Sequence, residues 1–210
     1  MERNREAEYR IGVSDLSGSL GSAIRTKGCL LLFCLQGRAI VSANLERRVF
    51  RRGDIAVIFP DTLFVVHGTG GDFRVRLIEI SSALTDEVIL PLSSVFFERI
   101  YNQPILPTTG EERILSETWN AHIEHCAQCS AAKSARMMIR NQLQNLFLAM
   151  EVKLVFDAPP GNIESIPSSR RLFNCFCKLV TENCYSQHEV KFYADKLCIT
   201  PYYLSKITAR

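Results

Sequence analysis

The strongest constraint in the sequence is Thr200-Pro201, set between two short amphipathic runs near the C-terminal end. Val190-Lys191-Phe192-Tyr193-Ala194-Asp195-Lys196-Leu197 reads as a short helix with Tyr193 and Leu197 on one face. Cys198-Ile199-Thr200-Pro201 breaks it, and Pro201 to Thr208 starts another. Thr200 suits the N-cap, because its hydroxyl can accept an orphaned backbone N–H; Pro201 suits the first helical position, where no N–H is needed. Two helices that cross tightly need a small residue between them, and Ala194 supplies it. Leu204 and Ile207 then turn back onto the first helix and complete a small core. Tyr202, Tyr203, Ser205, Lys206, Ala209 and Arg210 are left facing outward or obliquely. The stretch from Val190 to Arg210 is therefore expected to fold as a helix-turn-helix, which offers its second helix to the major groove of DNA. An ordinary helical hairpin shares the periodicity, but the spacing of Ala194, Cys198, Ile199, Leu204 and Ile207 asks for more than that.

The run Phe192-Tyr193-Ala194-Asp195-Lys196-Leu197-Cys198-Ile199-Thr200-Pro201-Tyr202-Tyr203-Leu204-Ser205-Lys206 resembles the first helix-turn-helix of AraC-family transcriptional regulators. It is especially similar to the short two-domain kind found in Bacteroidetes. The resemblance implies two such units joined by a long helix, of which this chain carries only the first, with most of its recognition helix. Tyr202, Ser205 and Lys206 fall where members of the family contact bases or phosphates, and Tyr203 and Arg210 complete the expected DNA-binding set.

At 210 residues with 47% apolar side chains, the chain can form one large or two modest globular domains. Its net charge of +3 is unevenly spread. Residues 167–210 hold seven Lys/Arg and three Asp/Glu, a balance of +4; residues 1–166 hold eighteen and nineteen, a balance of −1. A basic end fits phosphate contact, although a solvated helical face gives the same excess. The opening Met1-Glu2-Arg3-Asn4-Arg5-Glu6 has no apolar core of the secretory kind, so a cytoplasmic protein with reduced thiols is expected. Cys29, Cys34, Cys175, Cys177 and Cys198 sit among apolar neighbours and read as small core residues. The longest apolar run, Cys29 to Leu35, is far too short to span a bilayer, and no membrane association is expected.

From about Arg25 to Ile80 short β-rich runs alternate with turn signals. Gly28 to Leu35 reads as a buried strand closed by a Gln36-Gly37 turn. Arg38 to Ala43, Arg47 to Phe50, Ile55 to Phe59, Phe64 to His67 and Phe73 to Ile80 follow as further strands. Many short strands at such intervals predict a sandwich or barrel. Gly53-Asp54-Ile55-Ala56-Val57-Ile58-Phe59-Pro60 is similar to the cupin-like barrel that forms the sensory half of AraC-family proteins.

A helical middle comes next. Glu87 to Tyr101 is interrupted by Pro91 and ended by Pro104 and Pro107. A helix from about Gly110 to Ser130 places Leu115, Trp119, His122, Cys126 and Cys129 on one face. Another, from about Ala132 to Phe156, aligns Ile139, Leu143, Leu146, Phe147, Met150 and Leu154, so that the two form an antiparallel pair. In the resembled family such helices commonly carry the dimer contact, although a pair that only covers the barrel has the same pattern. Asp157-Ala158-Pro159-Pro160-Gly161-Asn162 reads as a linker, and Ser168 caps a helix to about Tyr185 with Leu172, Phe173, Phe176, Leu179, Val180 and Cys184 inward.

His122-Ile123-Glu124-His125-Cys126-Ala127-Gln128-Cys129 invites a zinc reading, but one helix would spread His122 and Cys129 roughly 10.5 Å apart. A tetrahedral site gathers its ligands around one ion, usually from two elements, so His122 and Cys126 are expected to pack and no metal or other cofactor is expected. A reactive Cys-x-x-Cys opens a helix, whereas Cys126 and Cys129 close one. His67 is the one histidine among the predicted strands, too few for a cupin metalloenzyme, and Gly68-Thr69-Gly70-Gly71 lacks the helix and lysine of a phosphate loop. Enzymatic activity is not expected. A barrel can still hold a small molecule, with Cys34, Phe59 and His67 as candidate lining; His67 also reads as a core imidazole.

The fold class expected is therefore α+β: a cupin-like β-barrel over 1–107, a helical linker pair over 108–160, and a partial helix-turn-helix domain over 161–210. The implied protein is a homodimeric regulator that binds double-stranded DNA and senses an unidentified small-molecule effector. Two alternatives remain: a truncated sensing and dimerisation fragment that does not itself bind DNA, and a metal-free cupin enzyme.

Overall fold

The computed structural model describes residues 8–156, 175, 176, 179, 180 and 183–208. It is mixed α+β. The strands are β1 (Tyr9–Ser14), β2 (Ala23–Ile24), β3 (Cys29–Gln36), β4 (Arg38–Ala43), β5 (Glu46–Arg51), β6 (Ile55–Ile58), β7 (Phe64–Thr69), β8 (Arg74–Ile80) and β9 (Ile105–Leu106). The helices are α1 (Ser82–Ile89), α2 (Ser94–Asn102), α3 (Gly110–Ala127), α4 (Ala132–Glu151), α5 (Val190–Lys196) and α6 (Pro201–Thr208). Contacts divide the chain into two units, one ending at Ala158 and one beginning at Pro159.

In the first unit the strands form two antiparallel sheets, ordered β1-β8-β3-β6-β9 and β2-β7-β4-β5. No hydrogen-bonded ladder joins the two sheets among the described residues, so the expected barrel takes the form of two stacked sheets. The longer sheet is a middle layer, and β3 shows why its sequence is an unbroken apolar run. Leu30, Leu32 and Cys34 enter the core shared with the second sheet, beside Val41, Phe50, Phe64 and Val66. Cys29, Leu31 and Phe33 point the other way, into a core with Leu84, Val88, Phe96, Ile139, Leu143 and Phe147 from the helices. A strand buried on both faces has no polar positions to alternate with. Gly37 closes the β3–β4 turn at φ +70°, a left-handed conformation that glycine adopts without a Cβ penalty.

Ser81 and Ser93 cap α1 and α2, each side chain accepting a backbone N–H one turn on. Thr109 and Glu112 form a reciprocal capping box at the start of α3. The inward face of α4 follows the predicted one: Ile139, Leu143, Phe147 and Met150 are buried, and Leu146 and Leu154 are packed against the same core. Beyond Glu151 the predicted helix widens to a π turn over Val152–Phe156. The face of α3 differs from expectation. Its buried residues are Asn120, Ile123 and Cys126, with Trp119 half-buried against Phe33. Leu115 is 70% exposed and His122 is also exposed. Trp119 and Cys126 lie inward as predicted, whereas Leu115 and His122 do not, because contact with β3 and α4 fixes the helix rotation.

β1, β2 and β9 were not foreseen. β1 lengthens the middle sheet by pairing along β8 from Tyr9↔Ile80 to Ser14↔Val75, and β9 adds two residues against β6. The linker 157–162 lies outside the described residues, as do Leu172, Phe173 and Cys177. Of the helix predicted to follow Ser168, residues 175, 176, 179, 180 and 183 are helical.

Candidate functional site

The second unit is built around Ala194, which has no exposed surface. Tyr193, Ala194, Leu204 and Ile207 form its buried core, with Phe176, Leu179, Val180, Leu197, Ile199 and Tyr203 packed around them. The Tyr193 ring meets Phe176 edge-on at 5.6 Å, and its hydroxyl donates to the Gln187 carbonyl at 2.6 Å. A buried phenol needs such a partner, and this one anchors the segment before α5.

The turn between α5 and α6 is closed by backbone bonds. The N–H of Leu197 donates to the Tyr193 carbonyl at 3.0 Å, and the N–H of Ile199 to the Ala194 carbonyl at 3.0 Å. Cys198 sits at φ +54°, a left-handed conformation that redirects the chain. Thr200 caps α6 as expected: its hydroxyl accepts the Tyr203 N–H at 3.1 Å, and its carbonyl accepts the Leu204 N–H at 3.0 Å. The sequence predicts the break at Cys198 to Pro201 and the cap at Thr200, but not the two backbone bonds, nor the conformation of Cys198, for which it offers no glycine as a signal.

On α6, Leu204 and Ile207 face the core, while Tyr202, Ser205 and Lys206 are exposed. Tyr202 is 79% accessible. Tyr203 is half-buried against the core, so it presents less of its ring outward than its neighbour. Arg210 lies outside the described residues. Lys191 and Lys196 on α5 are exposed, and the Lys196 ammonium stands 5.9 Å from the centre of the Phe192 ring. The exposed side of α6 thus combines a phenol, a hydroxyl and an ammonium, groups able to bond phosphate oxygens and base edges.

In the first unit Cys34, Phe59 and His67 are not brought together. Cys34 is buried between the two sheets, where burial pushes its thiol up to about 12, aided by the nearby charge of Asp54. Phe59 packs in the other core, its ring 6.1 Å from Phe97 and 6.4 Å from Phe147. His67 is exposed, not a core imidazole, and its Nε2 is 2.8 Å from the Ser42 hydroxyl. Phe64 and Val66 of β7 point inward, so strand alternation leaves His67 on the outer face, where the register with β4 shifts by one residue.

Sequence reasoning missed a pocket of about 360 Å³ lined by Arg38, Arg48, Val49, Arg51, Asp54, Ile105 and Pro107. The signal was present as four arginines within six positions, Arg47-Arg48-Val49-Phe50-Arg51-Arg52. Only strand pairing reveals that Arg38 lies opposite Arg51. The Asp54 carboxylate accepts the Arg51 backbone N–H at 2.9 Å, and burial pushes this carboxyl up from its ordinary value.

Cys126 is buried as expected, Cys129 is half-buried, and His122 and His125 are exposed. No group of three or more His, Cys, Asp or Glu among the described residues is placed to hold a metal. Cys175 and Cys198 are exposed and so depart from their expected core role. No described helix is long and apolar enough to cross a membrane.

No protein-family model matches the sequence, and no curated protein matches it either. Among solved structures the chain is similar to ToxT from Vibrio cholerae strain SCE256. An apo variant of that protein matches with a TM-score of 0.50 at 11% identity, over 97% of this chain and 75% of that one. The wild-type protein with an unsaturated fatty acid bound gives 0.50 at 12% identity, over 99% and 75%. The AraC-like transcriptional activator CuxR matches over 96% of this chain and 67% of that one at 11% identity, with a TM-score of 0.43. At these identities the likeness is one of fold: the chain shares the fold of ToxT.

Proposed function

We propose that this chain is an AraC-type transcription regulator whose first unit senses a small-molecule effector and whose second unit contacts DNA through α6. One observation carries the reading: eight residues bury Leu204 and Ile207 while leaving Tyr202, Ser205 and Lys206 on the solvent side. A reader helix needs both properties, since its own scaffold must hold it rigid while its outer side stays free for the groove. Lys206 supplies phosphate attraction, and Tyr202 and Ser205 touch base edges. The sequence resemblance of Phe192 to Lys206 and the shared fold with ToxT support the same assignment.

On this reading the labour is divided among a cupin-like sensory part over 1–107, a helical pair over 108–160 and a DNA-contacting part over 161–210. Two copies pair through the helices. The exposed Ile114 and Leu115 on α3 and Met137 and Met138 on α4 offer apolar surface for that contact. That ToxT has been crystallised with a fatty acid bound supports a fold able to hold a small molecule. Control then works by linkage: an effector shifts the dimer only if it binds one arrangement more tightly than another. The regulator acts in the cytoplasm and performs no catalysis.

Titration of the isotope-labelled chain with duplex DNA, followed by amide chemical shifts, tests the interface. The signals of Tyr202, Ser205 and Lys206 should move first. Shifts confined to residues 8–156 would contradict the assignment.

A further inference from the structure

The two sheets of the first unit end on strands that meet around one pocket. β5 is the last strand of the four-stranded sheet and β9 the last of the five-stranded one. Arg48, Val49 and Arg51 of β5 and Ile105 of β9 line the same space, with Arg38 of β4 and Asp54 beside them. Its volume of about 360 Å³ lies in the lower part of the range of roughly 300–1,000 Å³ usual for small-molecule pockets.

The arginines are not alike. Arg48 donates to the Glu46 carboxylate at 2.8 Å, so its charge is answered locally. Arg38 and Arg51 stand directly opposite each other across the β4–β5 ladder. Among the described residues neither guanidinium takes part in a side-chain hydrogen bond or ion pair. Like charges in that position oppose strand pairing. The one carboxylate of the pocket, Asp54, is engaged by the Arg51 backbone N–H. With Glu46 set against Arg48, three guanidiniums and two carboxylates leave the pocket at 3 − 2 = +1. Arg38 and Arg51 still turn two guanidinium forks on one anion, although Asp54 offsets part of the Arg51 charge, and two forks suit the three terminal oxygens of a phosphate better than the two of a carboxylate. Guanidinium forks bond such oxygens in pairs.

We propose that this pocket binds a small molecule carrying a phosphate monoester, held by Arg38 and Arg51, with its apolar body against Val49, Ile105 and Pro107. Its role as the effector seat rests on the regulator reading above; the binding itself does not. Without ligand the Arg38–Arg51 pair repels, and a bound dianion converts that repulsion into two charge-assisted contacts.

Calorimetric titration of the full chain with phenyl phosphate tests the site, with benzoate as a singly charged probe bearing the same ring. Phenyl phosphate should bind, and benzoate should bind about tenfold or more weakly. Arg38→Gln and Arg51→Gln should each weaken phenyl phosphate by about tenfold or more, while their thermal midpoints without ligand equal or exceed that of the unaltered chain. Absent binding, equal affinity for benzoate, unchanged affinity in both variants, or lowered midpoints would each overturn the proposal. Lys206→Ala should leave phenyl phosphate binding unchanged, so that failure of DNA contact and failure of this site are read separately.

Discussion

The backbone N–H of Ile199 donates to the carbonyl of Ala194 across 3.0 Å, which ties the turn to the residue at the crossing of α5 and α6. Ala194 has no exposed surface, so any larger side chain there must displace α6. Ala194→Leu should cost about 1–3 kcal/mol through overpacking. Among the described residues the buried core of the second unit is Tyr193, Ala194, Leu204 and Ile207, so its amide signals should collapse while those of residues 8–156 stay dispersed. Retention of both sets would show that the crossing is not tight.

Cys198 holds a left-handed conformation at φ +54° without being glycine. Its Cβ costs roughly 1–2 kcal/mol there, and glycine's extra freedom in the unfolded chain gives back about 0.5–1. Cys198→Gly should therefore stabilise the second unit by about 0.5–1 kcal/mol, and Cys198→Val should destabilise it. Chemical denaturation reads both signs, and a destabilising glycine would refute the strain.

The apolar pattern revealed what lies beneath it but not which partner lies above. β3 was legible because six successive buried positions, Cys29 to Cys34, admit nothing else at strand length. The crossing at Ala194 and the cap at Thr200 were legible because each rests on a local steric or hydrogen-bonding need. β9 is two residues between Pro104 and Pro107, too short to show a period, and β1 interrupts its alternation with Gly12. On α3 the predicted stripe holds Trp119 and Cys126 correctly but includes Leu115 and His122 and omits Ile123, because only packing against β3 and α4 fixes the helix rotation. The Arg38–Arg51 pair depends on register between strands, which no local pattern encodes.

Glu151, at the end of α4, reaches the N-terminus of α2 and accepts the Ser93 backbone N–H at 2.8 Å. Hydrogen bonds from Ser93, first its hydroxyl and then this N–H, hold the Glu151 carboxyl below its ordinary value of 4.5. A depressed carboxyl contributes stability that is complete above pH 4.5 and is lost as pH falls through the folded-state value. Glu151→Gln should lower stability near neutrality and flatten its decline in acid. Parallel acid limbs for the two proteins in denaturation at several pH values would remove Glu151 from the account.

The most direct measurement of the central claim is the salt dependence of duplex DNA binding by fluorescence anisotropy, with Lys206→Ala beside the unaltered chain. If the exposed side of α6 meets the phosphate backbone, the substitution should weaken binding on every sequence alike and reduce the slope against log salt by about 1. An identical slope in the two proteins would contradict it.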